Sequence, residues 1–244
     1  MASDILKSKK AEYRLQLPIT GKRVNYTTFT LGSELILMQA AESGDISHIM
    51  QAIINLLDDC IRTEGVNAED LPQCEAEMLL YNCRAKSSGK NIEIMVKDPD
   101  DPDREYPGIL NLEDVKVHTP EEFEDKIELS DGRIVHMSVP SMKTQLAIAD
   151  LQNFDPEDKE AATQANLLTI VKCLKGFEID GEGYSASDFD ESDLLDFVRD
   201  LDRHDGMRLF SFAGNLPYMK ADVKITRPDG TKFSTEVRDL ASFL

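Results

Sequence analysis

Residues 31–90, LGSELILMQAAESGDISHIMQAIINLLDDCIRTEGVNAEDLPQCEAEMLLYNCRAKSSGK, contain the strongest helical pattern of the chain. The middle of this stretch places apolar residues at the three- and four-residue spacing of one helix face, which predicts a helix with a buried side. These residues are Ile46, Ile49, Met50, Ile53, Ile54, Leu57, Cys60 and Ile61. Asp45 is suited to cap the first turn of this helix, and Gly65 is suited to end it.

Two further helices are predicted beside the first. One covers residues 33–43 and stops at Gly44, and the other begins near Pro72, a residue type favoured in a first helical turn. The later helix has a predicted buried side made of Leu71, Cys74, Met78, Leu79, Tyr81 and Ala85. Three linked helices therefore form the predicted core, and their residues indicate no chemistry.

Strand patterns surround these helices and predict an α+β fold. Apolar and polar residues alternate along each strand, and Asp131 with Gly132 is typical of a tight hairpin turn. The predicted strands are residues 13–17, 24–29, 91–96, 112–118, the two arms of a hairpin within 126–140, residues 177–179, and a hairpin after residue 218 that turns at Pro228, Asp229 and Gly230. The acidic segment 98–108 is predicted to be a solvated loop or a long hairpin tip.

Helices dominate after Pro140. The predicted helices are residues 142–151, capped by Ser141; a long helix from Asp155 and Pro156 to Lys175; a helix capped near Ser192 and broken by Asp205 and Gly206; and a short apolar helix over residues 207–217. A domain boundary is therefore predicted near residues 139–141. The predicted organisation is a flexible basic arm at 1–12, an α+β domain with a helical core and hairpins at 13–140, and a mainly helical region ending in a hairpin at 141–244.

The net charge of -19 is concentrated in two segments. Residues 97–128 hold twelve acids against four bases, and residues 178–205 hold eleven against two. Binding to nucleic acid or to anionic lipid depends on clustered lysine and arginine. Both kinds of binding are therefore disfavoured on these surfaces.

The N-terminal residues carry no targeting signal that we recognise. They are basic, but they lack the apolar region of a signal peptide. No part of the chain approaches the ~18 uninterrupted apolar residues that a membrane span requires. The protein is therefore expected to have no membrane span and to remain in the compartment where it is made.

Sequence motifs of catalysis are absent. The chain contains no G-x-S-x-G, H-E-x-x-H, G-x-x-x-x-G-K-[ST] or G-x-G-x-x-G pattern. Its histidines lie in separate predicted elements, and its cysteines form no C-x-x-C pair, so structural roles are expected for both types, with the cysteines reduced and buried. These residues are His48, His118, His136 and His204, and Cys60, Cys74, Cys83 and Cys173.

Clustered carboxylates are the strongest candidates for a metal site. The densest cluster is formed by Asp193, Asp196, Asp200 and Asp202. A calcium loop needs glycine at its sixth position, where Asp205 stands when the count starts at Asp200, and Asp103 stands there in the segment 98–108. Both clusters are therefore predicted to be solvated faces, and no catalytic, cofactor-binding or metal-binding residue is predicted.

One segment resembles a known family. The residues AEMLLYNCRAKSSGKNIEI, 76–94, predict a helix that ends in an Arg-x-Lys-Ser-x-Gly turn and leads into a strand. Together with LPITGKRVNYTTFTLGSE, 17–34, and LLDDC, 56–60, this pattern resembles the baseplate hub subunit family of T-even-like contractile-tailed bacteriophages over about residues 13–140. Members of the family often have valine before the turn glycine and a C-x-x-C in the next hairpin. Here Ser88 and DPDDPD stand in those places, so a metal-stabilised hairpin is not implied.

The resemblance implies a non-enzymatic structural or assembly protein of the tail baseplate hub. Its partners would be other phage tail or hub proteins, either in a homo-oligomer or in a hetero-oligomer, in the host cytoplasm during assembly or in the virion baseplate. The expected partner contacts are the helix-end residues Arg84 and Lys86 and the acidic residues Asp193, Asp196 and Asp200. Arg84 and Lys86 also have a structural interpretation, because cations are favoured at a helix C-terminus.

Two other functions stay open. The acidic segments would suit a DNA mimic that inhibits a host DNA-binding protein, although such a mimic should present one continuous row of carboxylates. A metal-dependent hydrolase would use Asp193, Asp196 and Asp200, and their calcium binding is likewise open. The sequence ranks the hub protein first, the mimic second and the hydrolase last.

Overall fold

The three predicted helices at the start of the chain are present. In the computed structural model, which describes residues 10–151 and 159–238, they are α1 (Leu31–Ser43), α2 (Ile46–Cys60) and α3 (Gln73–Ser87). Asp45 caps α2 as predicted, because its carboxylate accepts a hydrogen bond from the backbone N–H of His48 at 3.1 Å. Gly44, with a φ of 67°, ends α1 in the left-handed conformation that favours glycine.

The C-terminus of α2 differs from the prediction. The helix ends at Cys60, and Gly65 lies in the turn that follows. Ile61 leaves the helix and forms an antiparallel bridge with Tyr26, and the N–H of Arg62 donates to the carbonyl of Asn25 at 2.8 Å. The pairing of Ile61 and Arg62 with β2 therefore ends α2 before Gly65 is reached.

The other described residues form strands and further helices, and this mixture of elements confirms the predicted α+β class. The strands are β1 (Glu12–Gln16), β2 (Arg23–Thr27), β3 (Asn91–Lys97), β4 (Glu105–Asn111), β5 (Lys116–His118), β6 (Lys126–Glu128), β7 (Ile134–Met137), β8 (Leu174–Ile179), β9 (Glu182–Ser185), β10 (Tyr218–Thr226) and β11 (Lys232–Val237). The remaining helices are α4 (Met142–Leu151), α5 (Lys159–Cys173), α6 (Glu191–Arg199) and α7 (Arg203–Gly214), with short 3-10 turns at Ala68–Asp70 and Ala186–Asp188.

The chain divides into two compact units. The first unit contains the described residues up to 117 together with those from 219 to 238, and the second unit contains the described residues between 118 and 218. The boundary expected near residues 139–141 falls inside the second unit, because β7 precedes it and pairs with β8 beyond it. The C-terminal hairpin belongs to the first unit, where β10 lies between β11 and β5.

The first unit contains a hairpin that the sequence placed incorrectly. Residues 105–111 form β4 and pair along their whole length with β3, so the strand expected at 112–118 is reduced to β5 and the acidic loop is shorter. Glycine at position 108 lets β10 pack closely on β4, since a Cβ here would lie 2.6 Å from Cδ1 of Ile225 and displace that side chain. The core that these strands share is made of Cys74, Tyr81, Ile94, Val96, Leu110, Leu112, Val115, Met219, Ala221, Val223 and Ile225.

The second unit is built on a four-stranded antiparallel sheet with the order β6-β7-β8-β9. Helices α5, α6 and α7 contribute apolar residues to one core with this sheet. That core consists of Ile127, Leu129, Val135, Met137, Ile170, Val171, Cys173, Leu174, Phe177, Ala186, Leu194, Val198, Leu209 and Phe212. The ring of Phe177 also lies 4.9 Å from that of Phe197, an edge-to-face contact between β8 and α6.

Helix boundaries in the second unit correct two predictions. Lys175, the expected end of the long helix, lies in β8, because Leu174 already pairs with Met137 of β7. The start expected at Asp155 and Pro156 lies outside the described residues. Asp205 and Gly206, expected to break a helix, are inside α7.

A buried carboxylate of α3 holds the turn between β1 and β2 in place within the first unit. Glu75, in the first turn of α3, is completely buried. It accepts hydrogen bonds from the backbone N–H groups of Ile19 and Thr20 at 2.6 and 2.9 Å, and from the hydroxyl of Thr20 at 2.9 Å. These donors compensate for the loss of water, and the N-terminus of the helix dipole further favours the negative charge.

All four cysteines are buried free thiols, as predicted. Burial raises the pKa of the thiols of Cys74 and Cys173 to about 12. The pKa of Cys83 is also raised, chiefly by its hydrogen bond with Cys60 and then by burial. Since the thiolate is the nucleophile, the thiols of Cys74 and Cys173 are protected by protonation as well as by burial.

Replacing Glu75 with alanine should destabilise the protein by about 2 kcal/mol or more, because two backbone N–H groups near the core lose their acceptor. Glu75→Gln should cost less, since its amide oxygen still accepts hydrogen bonds. Glu64→Ala, at an exposed position, is the matched control and should change little. Urea unfolding followed by circular dichroism measures the difference, and equal effects for Glu75→Ala and Glu64→Ala would contradict the anchoring role.

Cys74 and Cys173 should react with a thiol reagent only when the protein unfolds. Ellman's reagent with and without denaturant, followed by mass spectrometry of the modified peptides, tests this expectation. A Ser88→Cys variant supplies an exposed thiol and should react in the native state. Rapid native modification of Cys74 or Cys173 would show that these sites open easily.

Candidate functional site

The predicted contact residues Arg84 and Lys86 lie in the last turn of α3. The ammonium of Lys86 is 3.2 Å from Oε1 of Glu113, and that of Lys90 is 3.4 Å from Oε2 of the same residue. These contacts, first that of Lys86, lower the pKa of Glu113. Residues two apart on a helix do not share a face, so Arg84 and Lys86 do not form one patch. The contacts of Lys86 support its structural interpretation.

Asp193, Asp196 and Asp200 share one side of α6 and its C-terminal cap, and all three are exposed. The opposite side buries Leu194 and Val198. The seven residues from Asp193 to Asp200 correspond to a rise of about 10 Å, too long for both carboxylates to bind one ion. Asp196 also forms an ion pair with Arg199 at 3.5 Å. This side of α6 is therefore a solvated acidic face.

A further cluster lies at the start of α7 and shares Asp202 with the carboxylate cluster that the sequence singled out. The ligand atoms of Asp202, His204 and Asp205 lie within 4.8 Å of one another. Asp202 caps the helix by accepting from the N–H of Asp205 at 2.9 Å. Asp205, nearly buried, accepts from the N–H and the hydroxyl of Ser130 at 2.9 and 3.0 Å. Capping and anchoring of the β6–β7 turn thus account for both carboxylates.

Hydrogen bonding also determines the ionisation of Asp205. The backbone N–H of Ser130 is the main cause that lowers the pKa of this carboxyl, and the Ser130 hydroxyl adds to it. Neither donor lies near Asp205 in the sequence. Local spacing therefore could not reveal why an aspartate is favoured inside α7.

The turn between β3 and β4 contains a buried ion pair with the C-terminal hairpin. The guanidinium of Arg227 donates to both oxygens of Asp98 at 2.6 Å and to Asp100 at 2.6 Å, and it stacks 4.7 Å from the ring of Phe233. Asp98 is 4% exposed. Chiefly because of the Arg227 hydrogen bonds, the pKa of Asp98 falls to about 2.

This ion pair occupies the edge of an acidic recess. The recess has a volume of about 330 Å³ and is lined by Asp98, Asp100, Asp101, Arg104, Tyr106, Arg227, Pro228 and Asp229. The bidentate arrangement is the strong form of a charge-assisted hydrogen bond. We interpret the recess as a structural junction between two hairpins of the first unit.

An exposed apolar surface is the feature that sequence patterns missed. Large apolar side chains on a solvent face cluster between residues 31 and 46, in α1 and at the start of α2. They are Leu31, Leu35, Ile36, Met38 and Ile46. A contiguous exposed apolar patch commonly marks an interaction site. The sequence signal was present, but helical spacing alone does not distinguish a core face from a binding face.

Comparison with known proteins gives two matches. A family model described as T4 bacteriophage base plate protein matches residues 10–244. The baseplate hub assembly protein gp26 of Enterobacteria phage T4 is 28% identical over 182 residues, which cover 67% of this chain and 83% of that protein. No solved structure matches the chain. Among the described helices, none is long and apolar enough to cross a membrane.

Removing the guanidinium with Arg227→Ala should lower the melting temperature by several degrees near neutral pH. The stabilisation from Asp98 is complete above its ordinary carboxyl pKa of 3.8 and is lost as the pH falls through about 2, because the folded-state pKa is depressed. The difference in the free energy of unfolding between wild type and Arg227→Ala should therefore be constant above that ordinary pKa and shrink on further acidification. Urea unfolding at a series of pH values measures this free-energy difference.

Arg104→Ala is the control for Arg227→Ala. Arg104 pairs with Asp101 at 3.0 Å, but its side chain is exposed, and exposed pairs contribute little. The control should change stability only slightly at every pH. A loss for Arg227→Ala that does not depend on pH would mean that packing on Phe233, rather than the ion pair, provides the stabilisation.

Proposed function

The chain belongs to the T4 bacteriophage base plate protein family, and from this premise we propose that it is a non-enzymatic structural or assembly protein of the tail baseplate hub. The T4 relative is named a baseplate hub assembly protein, which supports the hub as the location. In this proposal the chain acts through contacts with other hub proteins, in the host cytoplasm during assembly or in the finished baseplate.

The use of the buried carboxylates carries the non-enzymatic part of the proposal. In the described part of the chain the buried acids are Glu75, Asp98 and Asp205. Each one accepts hydrogen bonds from a turn or an arginine of its own unit. An enzyme holds its catalytic acids in a cleft that receives the substrate. In this protein the hydrogen bonds of these three carboxylates hold turns and hairpins in place.

The exposed carboxylates support a role in recognition. Asp193 and Asp200 face solvent on α6, where they would attract a basic partner and accelerate encounter more than they would increase affinity. Arg84 and Lys86 remain proposed contacts at the end of α3, with Lys86 already engaged by Glu113. The acidic face of α6 is the better supported of the two.

The DNA-mimic alternative has less support. Several carboxylates of the two acidic segments pair with cations inside their own unit, which reduces the charge available to imitate a phosphate backbone. These pairs are Asp98 and Asp100 with Arg227, Asp101 with Arg104, Glu113 with Lys86 and Lys90, Glu124 with Arg208, Glu178 with Lys126, Glu191 with Lys172, and Asp196 with Arg199.

Co-expression of the tagged chain with the other hub proteins of the same phage tests the proposal. At least one of them should co-purify with the chain, and the complex should weaken in high salt if the acidic faces contribute. DNA added in excess should not compete, whereas competition would favour the mimic. Failure of every hub protein to bind would count against the hub role.

A further inference from the structure

The exposed side of α1 carries a short apolar row, which we name the α1 stripe: Leu31, Leu35 and Met38. Their spacings of four and three residues place them on one helix face. Leu31 is 73% exposed, Leu35 49% and Met38 51%. Ile36, on another side of α1, and Ile46, in the first turn of α2, are also exposed.

The other side of α1 is also apolar. Leu37 is buried, and Ala40 is half-buried on the same side, so α1 already has one face covered within its own unit. A surface helix normally exposes polar or charged residues on the side opposite its buried face. The α1 stripe departs from this pattern, because it places apolar side chains on the exposed side of the helix.

The charges near the α1 stripe restrict which kind of partner can bind there. From residue 24 to residue 61 the chain contains no lysine or arginine, but it contains Glu34, Glu42 and Asp45 at or near α1. Glu42 lies one helical turn beyond Met38 on the same face, where it is exposed. An occupant therefore meets an apolar centre with an anionic edge.

Electrostatics favours one occupant over the others. A second copy of this chain carries the same net charge of -19, and like charges at an interface are unfavourable. Nucleic acid would be repelled for the same reason. A helix with apolar residues on one face, and lysine or arginine bordering that face, complements both the apolar centre and the anionic edge of the α1 stripe.

We propose that the α1 stripe is the docking surface for an amphipathic helix, bordered by lysine or arginine, of another baseplate protein. This inference rests on the proposed function and specifies the surface through which the chain would act. The stripe is about 10 Å long, so it forms the apolar centre of a larger contact. Such desolvated centres provide most of the binding energy of an interface.

A double variant, Leu35→Glu with Met38→Glu, tests the surface in the full chain. Binding to the co-purifying hub protein should weaken about tenfold or more, because charge enters the desolvated centre. Both side chains face solvent in the free chain, so the circular dichroism spectrum and melting temperature should stay near those of wild type. Met207→Glu, at an α7 residue that is 61% exposed, is the matched control and should bind normally.

A separate variant tests the anionic edge. Glu42→Lys should weaken binding and reduce its salt dependence, since it opposes a basic partner. Glu64→Lys, an equal charge change at an exposed residue outside α1, controls for the net charge of the chain. Equal effects of the two variants would contradict an electrostatic role for this edge.

Photocrosslinking identifies the occupant. A benzophenone amino acid at Leu35 should crosslink to a segment of a hub protein with apolar residues at helical spacing and basic borders, whereas the same probe at Met207 should not. A crosslink from Leu35 to a second copy of this chain, or to another segment of the same chain, would overturn the proposal.

The two proposals fail in different ways. If wild type binds a hub protein and the double variant binds it equally well, the α1 stripe is not the docking surface, although the hub role stands. If wild type binds no hub protein, the hub role itself fails and the docking proposal fails with it.

Discussion

A carboxylate that leaves water must find hydrogen-bond donors, and this requirement determines how the turns of the protein are held. Glu75 finds them in the first hairpin turn, Asp205 in Ser130, and Asp98 in Arg227. In each case a charged residue joins parts of one unit that are distant in sequence. Breaking such a contact leaves a desolvated charge or an orphaned donor, so these interactions restrict the turns more than apolar packing alone would.

The same requirement connects the fold to the proposed function. A buried acid that is saturated by structural donors has little capacity left for a substrate or an ion, and the acids of α6 are exposed and spread along its length. The carboxylates of Asp202 and Asp205 do converge, but the cap of α7 and the contacts with Ser130 use them, and surface recognition fits the remaining features. The exposed apolar side of α1 and the solvated acids of α6 differ in character, so they suit contacts of different kinds, one desolvated and the other long-range.

Local patterns in the sequence predicted the elements whose determinants are local. Asp45 and the apolar spacing behind it predicted α2, and Ser141 predicted α4 with its observed bounds. The strand β4 was missed because its partner β3, rather than its own composition, makes residues 105–111 extended. The division into two units also follows from pairings without a local signal, since β8 joins β7 and β10 joins β5.

The candidate surface shows the same limit of sequence reasoning. Apolar residues at helical spacing predicted a helix at α1, but the spacing does not reveal that Leu31, Leu35 and Met38 face away from the core. The burial of Leu37 on the opposite side of α1 identifies the face of this helix that packs against the core. A cryo-electron microscopy reconstruction of the hub assembly bound to this chain would show directly what contacts α1. It should show the α1 stripe covered by a basic amphipathic helix of another baseplate protein; a stripe that stays in solvent while the chain is bound would contradict the account.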